Sequence, residues 1–257
     1  MLIRNLTRED LPVIVGMTNA GFKGDEIFDW LYPYQDKFPE DLRRSHQLRL
    51  QARLVGKGSH GFVAETEASD PDWTGRPEVV GYTFWLRTGQ DETAKVWQSG
   101  SLLNALMLGI GIERYLLSWE QSYESYVYNR ACDSTRIMEY EKTRNYGFYS
   151  LLDPRWHLRA IVVSPQHQRR GIGQMLLGHG QELARRENLP ITLEASVKGR
   201  ALYANSGFKV VDETEITEGL HCVSMVWEPE KSQGRWLEDV GNGKANVMRR
   251  LHPAAEQ

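Results

Sequence analysis

The most informative segment of this chain reads Val163-Ser164-Pro165-Gln166-His167-Gln168-Arg169-Arg170-Gly171-Ile172-Gly173. An apolar run, Leu158 to Val163, leads into it and predicts a buried strand, whereas the amphipathic run that ends near Glu187 predicts a helix. A further strand-like run, Ile191 to Glu194, completes a β-α-β unit with parallel strands. Because the first amides of a helix have no intrahelical acceptor, we expect an anion-binding site where the loop enters the helix.

The residue types in this loop suit a phosphate. Gly171 and Gly173 remove Cβ atoms that would block a ligand, and Arg169 and Arg170 add positive charge. Glycines in a G-x-G spacing also occur in plain turns, so the glycines alone leave both interpretations open. A dinucleotide-binding fingerprint is disfavoured, because its first glycine follows the strand directly, whereas here seven residues, 164 to 170, intervene.

The sequence on both sides predicts an α/β fold. The N-terminal elements are a strand at 2–6, a first helix that ends near residue 20, a second helix at 40–54, and an antiparallel hairpin of 61–65 with 79–85. The later elements are a tyrosine-rich helical insertion of two or three helices at 88–157, a helix at 198–205, and strands near 208–214 and 221–228. We predict a single domain over 1–229, with 230–257 as a loosely packed tail.

Composition argues against several classes of protein. The 31 basic and 34 acidic residues give a net charge of −3, which disfavours nucleic acid as a partner. Two distant cysteines, Cys132 and Cys222, predict neither a disulfide framework nor a metal site. Acidic residues at Glu9 and Asp10 precede any long apolar run, and no stretch is apolar enough to cross a bilayer. We expect a cytoplasmic protein that binds no membrane.

The pattern V-x-P-x-x-Q-x-x-G-x-G over 163–173 resembles the cofactor motif of the GCN5-related N-acetyltransferases (GNAT), in particular uncharacterised fungal members. The resemblance implies a GNAT fold, whose central mixed, mostly antiparallel sheet contains a splayed parallel strand pair and is flanked by helices. It also implies acetyl-CoA as co-substrate, without a metal. The cofactor-binding residues that it implies are Ile161, Val162, Val163, Gln168, Arg169, Arg170, Gly171, Ile172, Gly173 and Ser196. Ser196 stands where many members carry an asparagine, so that contact departs from the family pattern.

The segment from Ala201 to Phe208 resembles the final motif of the family, in which a tyrosine points toward the thioester sulfur. A phenol is protonated at neutral pH, so Tyr203 is our candidate general acid. Glu194, at the end of the neighbouring strand, is a candidate general base, and it is equally compatible with a structural role. His157 or solvent water are the alternatives for the base.

The acceptor side is the least determined part of the sequence. The resemblance places the first two helices beside the acceptor, which implicates Phe28, Asp29 and Trp30 as substrate-binding residues, although such aromatic residues also pack in cores. We expect direct transfer to a primary amine of a small molecule. A regulatory protein that binds acyl-CoA without transferase activity, and acetylation of protein amines, remain alternatives. The sequence does not address the oligomeric state.

Overall fold

The computed structural model describes residues 1–71, 73–99, 107–124, 128–143 and 147–248. Within these residues a single mixed sheet of nine strands carries helices on both faces. The strands are β1 Leu2–Asn5, β2 Ser59–Glu65, β3 Val79–Arg87, β4 Trp156–Val163, β5 Ile191–Ala195, β6 Lys209–Thr217, β7 Leu220–Trp227, β8 Leu237–Gly241 and β9 Lys244–Val247. The helices are α1 Leu11–Phe22, α2 Glu26–Leu31, α3 Pro39–Val55, α4 Glu92–Ser99, α5 Met107–Tyr123, α6 Ser134–Thr143, α7 Ile172–Glu187 and α8 Val197–Asn205.

The strand order in the sheet is β1-β2-β3-β4-β5-β7-β6-β9-β8. Neighbouring strands are antiparallel except in the pairs β4–β5 and β6–β9. The predicted mixed, mostly antiparallel sheet is therefore confirmed, as are the β2–β3 hairpin and the parallel pair on either side of α7.

Hydrophobic clusters hold the sheet between its two helical layers. On one face Trp85 and Leu158 belong to a cluster with Leu177 of α7, and on the other face Tyr82 belongs to a cluster with Ile14 of α1. Because successive side chains of a strand point to opposite faces, β3 and β4 contribute to both clusters. The two layers fix the angle at which α7 meets the sheet, and thus where the loop before α7 lies.

Gly180, in the middle of α7, allows the helix to lie directly on the sheet. A Cβ atom at this position would stand 2.0 Å from Cζ2 of Trp85, a fully buried ring. Glycine lowers helix propensity, and here that loss is offset by the close packing of helix and indole.

The insertion between β3 and β4 is helical, as predicted. Its described part contains α4, α5 and α6 and a 3-10 turn at Gly147–Leu152. Helix α5 packs against α3, and α6 lies against α2 and β6. The predicted insertion also includes residues 100–106, 125–127 and 144–146, which lie outside the described residues.

The prediction of a loosely packed tail from Glu230 onward is wrong for residues 230–248. Strands β8 and β9 extend the sheet beyond β6, and Trp236, which precedes β8, is 1% exposed. A tight turn joins these strands, and its residues Gly241, Asn242 and Gly243 all have positive φ. Residues 249–257 lie outside the described residues.

None of the described helices is long and apolar enough to span a bilayer.

Candidate active site

The parallel strands β4 and β5 separate part of the way along their length. They pair at Trp156 with Ile191, His157 with Thr192, and Leu158 with Leu193, whereas β4 runs on to Val163. At the point of separation Arg159 has no register partner on β3, because Leu158 pairs with Trp85 and Ala160 with Phe84. Such a bulge bends the strand. It also shifts by one residue the alternation of main-chain N–H and C=O groups between the two sides of the strand. A gap therefore opens between β4 and β5.

The main chain of β4 presents polar groups to this gap. The N–H of Ser164 donates to the carbonyl of Val80 on β3 at 2.9 Å. Since main-chain groups alternate sides along a strand, the N–H and C=O groups of Ile161 and Val163 point away from β3, toward the gap. The Gln168 side chain donates to the Val163 carbonyl at 3.2 Å. Of the three predicted residues on β4, Val162 differs, because its side chain packs in the core beneath α1.

The loop from β4 to α7 ends in unengaged amides. Gly171 caps α7 with a φ of 80°, a left-handed conformation that favours glycine. Met175 is the first helical residue whose N–H has a main-chain acceptor, the carbonyl of Gly171 at 2.9 Å. Among the described residues, the N–H groups of Ile172, Gly173 and Gln174 have no acceptor. Donors at a helix N-terminus fit a diphosphate, so this loop satisfies the first requirement for acetyl-CoA.

The side chains of the loop differ in their placement. Gln168, Arg169 and Arg170 are exposed, which leaves both guanidinium groups near the surface beside the amides. The Ile172 side chain is 2% exposed and packs in the core, so only its main chain is available to a ligand. A Cβ on Gly173 would make ordinary contact with Leu202 at 3.4 Å. Packing inside the protein would therefore allow a larger residue than Gly173, which is consistent with a ligand on the outer side of this residue.

Tyr203 lies on α8, on the same face of the sheet as α7. It is 6% exposed and packs edge-on to Phe208, with ring centroids 5.9 Å apart. Burial raises its pKa above the usual value, and the charge of Glu194 raises it further. Within the described residues its hydroxyl has no hydrogen-bond partner. The phenol is therefore protonated, and among the described residues its proton is not donated to another group.

Glu194 lies on the opposite face of the sheet, one residue beyond the last β4–β5 pair. The Tyr149 hydroxyl donates to its Oε1 at 3.0 Å. Nε2 of His157 stands 3.8 Å from its Oε2, and Nδ1 of the same ring is 2.9 Å from the Thr192 hydroxyl. The two candidates for the base, Glu194 and His157, are thus brought together at the mouth of the gap.

Sequence reasoning did not identify Tyr149. It comes from the 3-10 turn of the insertion, is 6% exposed, and its pKa is raised by burial and by the charge of Glu194, so it remains a donor. The Arg155 guanidinium lies over its ring and donates to its carbonyl at 2.9 Å. The only signal in the sequence was the richness of the insertion in tyrosine, which does not single out one residue.

Ser196 caps α8 and contacts the α1–α2 connection. Its hydroxyl accepts the N–H of Gly199 at 3.3 Å, and it lies beside the buried carboxyl of Asp25. Burial raises the pKa of Asp25. The Glu26 carboxylate accepts the N–H of Val197 at 3.1 Å. The predicted contact of Ser196 with the co-substrate stays a prediction, since its hydroxyl already caps the helix.

The three predicted substrate-binding residues occupy different environments on α2. Phe28 is 6% exposed and stacks on Tyr32 at 4.5 Å, so its ring belongs to the core. Asp29 accepts from the Gln35 side chain at 2.8 Å. Trp30 is half-buried beneath the Arg136 guanidinium, which lies 5.6 Å from the ring centroid. Their assignment to the acceptor stays a prediction.

No cluster of three His, Cys, Asp or Glu side chains able to hold a metal ion occurs in the part of the chain that the structure describes.

Comparison with known proteins shows a similarity to acetyltransferases. The model of the acetyltransferase (GNAT) domain matches residues 118–229, which include the gap, the loop and α8. A protein named acetyltransferase from the fungus Stachybotrys chartarum is 24% identical over 224 residues, covering 84% of each chain. A crystal structure from Corynebacterium glutamicum, described as histone acetyltransferase HPA2 and related acetyltransferase, superposes with a TM-score of 0.52 at 19% identity. It covers 88% of this chain and 95% of that one, and it shows a shared fold. Residues 118–229 are thus similar in sequence to the acetyltransferase (GNAT) domain, and the fold of the chain is similar to that of a solved acetyltransferase.

Proposed function

We propose that this protein transfers the acetyl group of acetyl-CoA directly to a primary amine of a small molecule. The observation that carries the proposal is that, within the described residues, the main-chain N–H groups of Ile172, Gly173 and Gln174 have no acceptor and lie beside the β4–β5 gap. Acetyl-CoA, when bound, supplies a thioester whose carbonyl carbon accepts the amine. All other steps are assigned to the residues of this chain.

The loop and β4 bind and orient the co-substrate. The amides of Ile172, Gly173 and Gln174 donate to the diphosphate, where the helix dipole also favours negative charge. The main-chain groups of Ile161 and Val163 hydrogen-bond the pantetheine arm, as a third strand would. An N–H in the gap also polarises the thioester carbonyl, because a donor fixed in position stabilises the charge that develops on the oxygen.

Two proton transfers are assigned to Tyr203 and Glu194, which lie on opposite faces of the sheet. The Tyr203 hydroxyl donates to the sulfur as it leaves. Its raised pKa supports this role, as does the absence of a hydrogen-bond partner for the hydroxyl among the described residues. Glu194 accepts a proton from the attacking amine, directly or through water. The Tyr149 hydroxyl donates to Oε1 of Glu194, whereas Oε2 lies toward His157. His157 is then the next group that can accept the proton after Glu194.

A small acceptor is favoured by the position of the insertion. The side chain of Arg136 donates to the Trp30 carbonyl at 3.0 Å, and Ala131 packs in the same cluster as Phe28. The segment around α6 therefore covers α2, the helix that the family resemblance puts beside the acceptor. Such a cover leaves less room for a protein surface than an open groove does.

Calorimetric titration with acetyl-CoA, followed by thiol release over a library of amines, tests the proposal. We expect Gly173→Glu to abolish binding, because a carboxylate would occupy the diphosphate position. Gly178→Glu is the matched control on the same helix, since no atom of the described residues lies within 4 Å of a Cβ at that position. Equal heats for wild type and Gly173→Glu would contradict the loop assignment. Binding without turnover on any amine would favour a regulatory protein that binds acyl-CoA.

A further inference from the structure

A cavity of about 390 Å³ lies between α2, α3, α5 and α6. None of the described residues that line it comes from β4, β5, α7 or α8, so it is separate from the proposed acetyl-transfer site. Its volume falls in the lower part of the range for small-molecule sites.

One wall of the cavity is cationic. Arg49 and Arg53 lie one turn apart on α3, and both line the cavity. Arg49 donates from Nη2 to the Tyr32 hydroxyl at 2.5 Å. A guanidinium group has five N–H donors, and among the described residues no carboxylate forms an ion pair with Arg49. Planar donors of this kind suit a carboxylate.

The facing wall carries a buried acid. Glu124, near the end of α5, is 5% exposed, and its Oε2 accepts the Ser45 hydroxyl at 3.2 Å. Its Oε1 is buried and has no hydrogen-bond partner in the part of the chain that the structure describes. A buried oxygen without a donor costs free energy, and a ligand that donates to it would recover that cost.

Arg49 and Glu124 each affect the pKa of the other. The pKa of Arg49 is raised by Tyr32 in the first place and also by the charge of Glu124. Burial raises the pKa of Glu124, whereas Arg49 opposes that rise. No ion pair joins Arg49 to Glu124 among the described residues, although both side chains line the cavity. Leu31 and Ile137 add apolar surface to the same cavity.

We propose that this cavity binds a small apolar amino acid in its zwitterionic form, with the carboxylate on Arg49 and Arg53 and the ammonium group on Glu124. A ligand with both charges satisfies both walls. A simple anion would leave Oε1 of Glu124 unpaired, and a simple amine would leave Arg49 without a carboxylate.

Calorimetric titration of the full chain without acetyl-CoA tests the proposal independently of acetyl transfer. The probes are L-leucine, L-methionine and L-phenylalanine, together with 4-methylpentanoate and 3-methylbutylamine, which each lack one charged group of leucine. We expect saturable binding of at least one amino acid with a Kd below about 1 mM, and at least tenfold weaker binding of both analogues. Absence of saturable heat from all three amino acids, or an analogue that binds as tightly as leucine, would overturn the proposal.

Variants assign the two ends of the ligand. Glu124→Gln removes the preference for leucine over 4-methylpentanoate, whereas Arg49→Lys weakens both of these ligands and leaves 3-methylbutylamine unchanged. Arg43→Lys is the control, because Arg43 is exposed on the same helix and pairs with Glu40. Thermal melting of each variant establishes that it is folded. Unchanged leucine binding in folded Glu124→Gln and Arg49→Lys would also overturn the proposal.

Discussion

Replacing Gly180 by alanine tests how α7 is seated on the sheet, and with it the position of the loop at the start of that helix. The added Cβ would stand 2.0 Å from Cζ2 and 2.4 Å from Cε2 of Trp85. Carbon atoms pack at about 3.5–4.0 Å, so ring or helix must move by roughly 1.5–2 Å. Trp85 is fully buried in a close-packed interior, which leaves no free space for that movement.

Overpacking of this kind costs about 1–3 kcal/mol, with the overlap here at the upper end. Alanine recovers about 1 kcal/mol of helix propensity over glycine. We therefore expect Gly180→Ala to lower the free energy of unfolding by about 2 kcal/mol. The measurement is urea denaturation followed by tryptophan fluorescence.

Gly178→Ala is the matched control on the same helix. In the part of the chain that the structure describes, no atom lies within 4 Å of a Cβ at that position, so only the helix propensity changes. We expect the free energy of unfolding to rise by about 0.5–1 kcal/mol. Effects of the same sign and size at both positions would refute the packing of Trp85 against α7.

Three further predictions concern the active site and the core. Tyr203→Phe removes the proposed proton donor, so we expect kcat to fall by about 10² or more with the acetyl-CoA Kd unchanged in calorimetry; an unaltered kcat would contradict the general-acid role. Tyr149→Phe removes a hydrogen bond to a carboxylate worth about 1.5–3 kcal/mol, and we expect kcat/KM to fall about tenfold or more, with a changed pH profile; an unchanged profile would leave Glu194 without this support. Burial, with Arg49 and Arg53, lowers the pKa of His46 from 6.5 to about 3, so the unfolded chain binds this proton first and acidification destabilises the fold between those two values. We expect the free energy of unfolding to fall by about 1.6 kcal/mol between pH 6.5 and pH 5, measured by urea denaturation, and by less in His46→Gln; equal losses would contradict the assignment to His46.

The β-α-β unit around the loop was predictable because its signals are local. A buried apolar strand, a loop with glycines at its end and an amphipathic helix follow one another within residues 158–187. The loop amides follow from helix geometry alone, since every helix leaves its first N–H groups without intrahelical acceptors. The family resemblance over the same segment then implied the mixed sheet, which the structure confirms.

Features that depend on tertiary contacts were not predictable in the same way. The contact of Tyr149 with Glu194 spans 45 residues of sequence and has no local pattern. The β4–β5 gap depends on a bulge at Arg159, which sits in an ordinary strand-like run. The burial of Phe28 depends on Tyr32, the C-cap of its own helix, and on His46 of α3, whose rings pack against it. Strands β8 and β9 were missed because their turn glycines resemble those of a loose segment.

The position of the co-substrate at the start of α7 is the central claim, and amide chemical shifts measure it directly. In ¹⁵N-labelled protein titrated with coenzyme A, we expect the largest changes at the N–H groups of Ile172, Gly173 and Gln174, with further changes at Ile161 and Val163. Saturable binding that leaves those five amides unmoved, with the shifts concentrated on another surface, would contradict the account.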